Sequence, residues 1–205
     1  MDTHVLLVFL TTFFFVSITP GMCMTLAMTL GMTVGVRRTA WMMAGELLGV
    51  AVVAVSAVVG VAAIMLNYPL VFHIGKYLGG AYLLYLGVQM WRSRGRLALR
   101  PDDAPRSVGR RALAVQGFVT AVANPKGWAF MVSLLPPFID TSRPLTGQLA
   151  LLVGMILCTE LVSLLLYASG GKQLGRFFSR GRNLTLVNRI AGTLMMAVGV
   201  WLALE

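Results

Sequence analysis

The chain alternates long uncharged apolar runs with short basic segments. No charged residue occurs from Val5 to Val36, a stretch longer than the roughly 20 residues that carry one straight helix across a bilayer, and Thr19-Pro20-Gly21 interrupts it. A proline inside a helix removes an amide donor and crowds the preceding turn, so the first span is expected to be long and kinked or broken there. A second run, Thr39 to Leu66, contains Glu46 and stops at Asn67-Tyr68-Pro69, a turn signal. The third, Pro69 to Trp91, carries Lys76 near its start and leads into the arginine-rich stretch that ends at Arg111. The fourth, Ala112 to Ile139, is charged only at Lys126, directly after Asn124-Pro125, and ends at Pro136-Pro137 and Asp140. The fifth, Pro144 to Gly171, contains Glu160, and the sixth runs from about Leu184 or Ile190 to Leu204. The expected fold is an all-α integral membrane protein of six transmembrane helices.

Composition agrees. Of 205 residues 58% are hydrophobic and 12% charged, with a mean hydropathy of +0.81, whereas soluble domains carry about 25% charged residues. A net charge of +10 would suggest nucleic acid in a soluble protein, but 13 of the 17 basic residues lie between spans one and two, three and four, and five and six. Short-loop Lys and Arg mark the cytoplasmic side, so the charge orients the chain, with both termini outside, and no nucleic-acid partner is expected. Met1-Asp2-Thr3-His4 lacks the basic opening of a secretory signal, so the first run is expected to be retained. Cys23 and Cys158 lie singly in apolar runs and are expected as small buried residues without a disulfide or zinc site. Met22, Met24, Met28 and Cys23 could form a soft metal site, though methionines at these spacings usually pack. Pro20-x-x-Cys23 raises thiol redox chemistry, but no second thiol follows Pro125. No phosphate-binding glycine loop is present, and His4 and His73 both fall near the outer face, so neither a cofactor nor an enzymatic activity is expected.

The first three spans recur in the last three. Pro20 interrupts span one and Pro125 span four, and spans three and six carry glycines at the same separation, Gly80 to Gly87 and Gly192 to Gly199, each preceded by a basic residue, Lys76 or Arg189. These basic residues are expected to snorkel to an interface. A three-span unit that repeats must run the opposite way, which predicts inverted repeats over about residues 1–91 and 112–205, joined by a cytoplasmic loop over about 92–111. Inverted repeats suit alternating access around a central site, and paired proline breaks free carbonyls for a polar substrate. Gly45 and Gly49 form a G-x-x-x-G that permits close helix approach, within one chain or across a homo-oligomer.

An ionisable residue in mid-membrane normally faces a cavity or a partner. Lys126 and Glu160 are both expected at mid-depth, as a natural pair, and Glu46, eight residues past Arg38, nearer the cytoplasm in an inward vestibule. Lys126 either binds a substrate carboxylate or neutralises Glu160, and one of the acids exchanges protons; a fixed buried pair that sets helix register is the structural alternative.

Thr19-Pro20-Gly21, the segment from Lys76 through Gly80-Ala81-Tyr82-Leu83-Leu84-Tyr85-Leu86-Gly87, Asn124-Pro125-Lys126 and Leu135-Pro136-Pro137-Phe138 together resemble the lysine exporter and homoserine/threonine resistance superfamily, over essentially the whole chain. The resemblance implies secondary-active export of an amino acid across the bacterial inner membrane, driven by the proton-motive force, with Pro20, Gly21, Asn124, Pro125 and Lys126 as the transferred site residues. Two departures concern substrate identity: Met22 stands where the family often has a second proline, and Pro136-Pro137-Phe138 where Pro-Gln-Phe is common. A small neutral amino acid of the homoserine or threonine kind is the favoured substrate, with a cationic amino acid as the runner-up.

Overall fold

A computed structural model describes residues 3–67, 69–92, 109–135, 138–139, 144–171, 173, 177 and 181–204. The described secondary structure is helical: α1 (Thr3–Ser17), α2 (Met22–Thr33), α3 (Val36–Asn67), α4 (Pro69–Arg92), α5 (Arg110–Val122), α6 (Pro125–Leu134), α7 (Leu145–Ser169) and α8 (Gly181–Leu204). The first apolar run is broken, with α1 and α2 meeting at 58° across Ile18 to Gly21. The fourth run is also two helices, α5 ending and α6 starting on either side of Ala123 and Asn124.

By length and apolarity, two helical segments among the described residues can cross a bilayer, Val36–Gly60 and Leu145–Ser169, with Leu6–Ser17 plus Met22–Thr33 as a third when taken as one broken span. Each 25-residue segment rises about 38 Å, enough for the roughly 30 Å hydrocarbon core. The six-span reading reaches beyond what these lengths alone carry.

Helix pairing is set by small residues. A Cβ on Gly45 of α3 would lie 1.8 Å from the carbonyl oxygen of Ala114 in α5, and one on Gly117 of α5 2.0 Å from that of Met42. The G-x-x-x-G thus serves packing inside one chain. A Cβ on Gly31 of α2 would likewise lie 2.2 Å from the Ala168 oxygen of α7. In α4 and α8 the equally spaced glycines face each other in antiparallel order: Gly87 against the Gly192 carbonyl, and Gly199 against that of Gly80. Where lipid is as apolar as the side chains, such backbone approach supplies the van der Waals contact that holds helices together.

Two apolar clusters fill the interior. One joins Phe9, Phe13, Val53, Phe130, Phe138, Leu152 and Ile156, with Phe9 edge-on to Phe138 at 5.0 Å between ring centres. The other joins Met24, Met28, Leu30, Met42, Leu113, Leu164 and Tyr167. Val16 belongs to the first and Ile18 packs on the second; Ile156 and Leu164 divide in the same way, so Ser17 and Glu160 fall between the clusters.

At the basic helix ends Arg189 lies over the Trp91 ring at 4.7 Å and Arg110 over Trp41 at 5.7 Å. Each is a cation–π contact; the side chains of Lys76 and His73 lie outside the described residues. Cys23 is a buried free thiol, but Cys158 is exposed, contrary to expectation, because its position on α7 faces away from the bundle. The suggested soft site does not converge: Met24 and Cys23 are buried, Met28 packs in the second cluster, and Met22 is 39% exposed. Among the described residues no group of three or more His, Cys, Asp or Glu is placed to hold a metal ion.

Candidate functional site

Pro20 has no amide hydrogen, so the carbonyl of Val16, four residues back, loses its helical donor. Lys126 supplies one: its Nζ donates to the Val16 oxygen at 3.1 Å. The Thr19 amide makes only a longer contact to the same oxygen, 3.3 Å. The neighbouring Ile18 carbonyl accepts from the Tyr167 hydroxyl at 2.7 Å. At the second break the Val122 carbonyl accepts from the Trp128 indole at 2.8 Å. Each break is therefore held by side chains that answer its exposed carbonyls, as buried backbone demands.

Tyr167→Phe removes one such bond and leaves a buried carbonyl short of a donor. The expected cost is about 1 kcal/mol, or about 2–4 °C in thermal midpoint, measured on detergent-solubilised protein. An unchanged midpoint would mean that the hydroxyl does not hold the break.

Asn124 adopts the extended conformation that a following proline imposes (φ −77°, ψ 104°), and its side chain accepts from the Lys126 amide at 3.1 Å. Pro125 occupies the first turn of α6, where a missing amide costs least. The cap orients the start of α6 and so places Lys126. Gly21 stands at the equivalent point before α2 in extended backbone, without a side-chain cap.

Between the two apolar clusters lies a cavity of about 70 Å³. Gly21, Glu46, Asn124, Lys126 and Glu160 all line it, as do Ser17, Thr19 and Cys23. Pro20 lines a neighbouring cleft instead, and Pro125, between Asn124 and Lys126 in the chain, lines neither space. Glu160 accepts a hydrogen bond from the Ser17 hydroxyl, which is also 3.0 Å from Ser163 Oγ. Lys126 and Glu160 thus share the cavity while bonded to Val16 and Ser17. Glu46 departs from expectation: it is 0% exposed and lines this same cavity, because the Gly45 to Ala114 approach draws its turn of α3 inward. Its carboxyl faces that of Glu160 and the Cys23 thiol.

Ser17, Ser163, Tyr167 and Trp128 were not singled out from the sequence. Glu160, Ser163 and Tyr167 lie at i, i+3 and i+7, one face of a helix, and that polar stripe was the available signal. For the Val16 carbonyl the signal was Pro20, four residues on; Trp128 left none.

The arrangement brings one ammonium, two carboxyl groups and the starts of two half-helices to one buried space. Helix starts carry partial positive charge, so α2, α6 and Lys126 favour an anionic group, and the two acids a cationic one.

The chain matches the description "LysE type translocator" over residues 14–205. It is 30% identical over 203 residues to an uncharacterized membrane protein of Vibrio cholerae serotype O1, covering 99% of this chain and 98% of that one. To the homoserine/homoserine lactone efflux protein of Salmonella typhi it is 28% identical over 195 residues, covering 95% and 94%. To the leucine efflux protein of Enterobacter sp. (strain 638) it is 32% identical over 152 residues, covering 73% and 70%. No solved structure matches the chain.

Proposed function

This chain belongs to the LysE type translocator family of membrane-embedded amino-acid exporters, and on that footing we propose that it exports a small neutral amino acid from the bacterial cytoplasm, driven by protons. The observation that carries this reading is the cavity shared by Lys126, Glu160 and Glu46. An amino acid is a zwitterion: its carboxylate suits Lys126 and the half-helix starts, and its ammonium suits Glu160. Phe13, Val50, Val53 and Phe130 line the same space and leave an apolar place for a side chain. Homoserine, named beside homoserine lactone for one efflux relative, and leucine, named for another, are both neutral amino acids.

Proton coupling falls to Glu46. With two carboxyl groups and one ammonium in the cavity, one acid lacks an opposite charge, and Glu46 is the one that faces the Glu160 carboxyl and the Cys23 thiol, whereas Lys126 acts on Glu160. It carries a proton while the cavity is closed and releases it to the cytoplasm when substrate enters. At about 70 Å³ the cavity is far below the roughly 300 Å³ of a small-ligand pocket, so loading requires the helices to part.

Alternating access about inverted repeats provides that movement. Support comes from the pairing: each broken span packs against the middle helix of the other half, α5 on α3 and α2 on α7, while α4 and α8 pair with each other. Six spans, with both termini outside by the distribution of Lys and Arg, complete the topology.

The test loads cells with amino acids by feeding dipeptides and follows the medium by mass spectrometry for the wild type, Glu46→Gln and empty vector. Wild-type release of homoserine, threonine or leucine, abolished by an uncoupler, is expected. Glu46→Gln should keep exchange of labelled for unlabelled substrate but lose release against a gradient. No difference between wild type and empty vector would remove the reading. Export of a cationic amino acid is a second reading, favoured by the presence of two carboxyl groups, Glu46 and Glu160, on one cavity; release of lysine alone in the same assay would decide for it.

A further inference from the structure

A second cavity, about 320 Å³ in volume, opens beside the first helix break and between the facing ends of α4 and α8. Its wall carries Thr19, Pro20, Gln89, Met90, Lys126 and Asn188. Thr19 and Lys126 also line the central cavity, so the two spaces share a wall, and the Lys126 side chain is part of it. Gln89 and Met90 belong to the last turn of α4 and Asn188 lies two turns into α8, beside Arg92 and Arg189 in the chain. By the Lys and Arg distribution this is the cytoplasmic end.

Unlike the central cavity, this one reaches the size of small-ligand pockets. Besides Thr19 and Lys126 its polar groups are the neutral amides of Gln89 and Asn188, which offer both donors and acceptors and suit a zwitterion held briefly. Gln89 donates to the Tyr85 hydroxyl one turn back, which fixes the orientation of its amide, and Asn188 is buried. Lys126 is on the same wall, and its ammonium is occupied by a backbone carbonyl that a carboxylate, as a charged acceptor, outcompetes.

We infer that this cleft is a cytoplasmic-side subsite for the zwitterionic substrate, in which Gln89 and Asn188 hold the amino acid while its carboxylate displaces the Val16 carbonyl from Lys126. The inference rests on the export reading above and adds to it a loading step. Breaking the Lys126 to Val16 bond frees the first helix break, which is the part that has to move for the central cavity to open.

The experiment uses inside-out membrane vesicles and labelled L-homoserine, with L-leucine and L-lysine run in parallel. Gln89→Cys should react with a membrane-impermeant maleimide added at the cytoplasmic face above the blank set by the parent chain. The transported amino acid should slow that reaction at least about threefold. Gln89→Leu should raise KM about three- to tenfold, the worth of one or two neutral hydrogen bonds, with Vmax retained. Reaction only from the opposite face, reaction indifferent to the transported amino acid, or an unchanged KM in Gln89→Leu would each overturn the subsite. If wild-type vesicles transport none of the three amino acids, the export reading fails and takes the subsite with it; transport by the wild type alongside any of the adverse results removes the subsite alone.

Discussion

Lys126→Met is expected to cut flux about 10- to 150-fold while most of the protein still folds. The exchange keeps an unbranched stem of similar length and removes the only ammonium among the cavity-lining residues. The substrate carboxylate then loses one charge-assisted hydrogen bond, worth about 1.5–3 kcal/mol, and about 1.4 kcal/mol corresponds to a factor of ten in rate. The Val16 carbonyl loses its 3.1 Å donor as well, but it retains the Thr19 amide. A moderate loss of stability should therefore accompany a large loss of transport. The measurement is labelled amino-acid exchange in proteoliposomes, normalised to monodisperse protein by size-exclusion chromatography. Wild-type exchange in this variant would exclude Lys126 as a substrate anchor and leave it the structural role of holding the first helix break.

Gly117→Leu should strongly destabilise the fold. A Cβ alone at this position would meet the Met42 carbonyl oxygen at 2.0 Å and the Glu46 amide nitrogen at 2.9 Å. Both are backbone atoms within a helix, so neither can rotate away, and the longer side chain forces α5 off α3 along the seam that also contains Gly45. Overpacking against side chains costs about 1–3 kcal/mol, and a fixed backbone raises that. A fall of roughly 5–10 °C in thermal midpoint, or recovery of little soluble protein from membranes, is the expected result. Gly154→Ala in α7 is the matching control, because a Cβ there meets nothing within 4 Å. That variant should be neutral or stabilised by up to about 1 kcal/mol through helix propensity. Equal stability of Gly117→Leu and the parent would mean that α3 and α5 do not approach as closely as described.

Glu46 shows where reading along the chain reaches its limit. Its distance from Arg38 placed it shallow, because depth was counted from the nearest charge as though the helix began at the membrane surface. In the fold, α3 runs 32 residues and its Gly45 turn is drawn against α5, which carries Glu46 into the central cavity. The pairing of Lys126 with Glu160 was legible as proximity but not as bonding. Each group is satisfied by a partner more than 100 positions away, Val16 for the lysine and Ser17 for the acid, and no local pattern reports such contacts. The breaks at Pro20 and Pro125 were legible because proline acts on its own helix. Which side chains answer the carbonyls they expose was not.

The sequence by itself determined what depends on local chemistry and on spacing along one helix: the apolar runs, the two proline breaks, the charges set inside them, the basic segments between them, and the equal glycine spacing in α4 and α8. Only the tertiary structure decided that those glycines meet each other in antiparallel order, that Glu46 joins Lys126 and Glu160, and that Lys126 replaces the donor Pro20 lacks. The physical reason is reach. Helix formation, breakage and membrane affinity are fixed within a few residues, whereas a buried polar group is satisfied by whatever helix packing brings to it, and that packing is set by where small residues let two backbones touch.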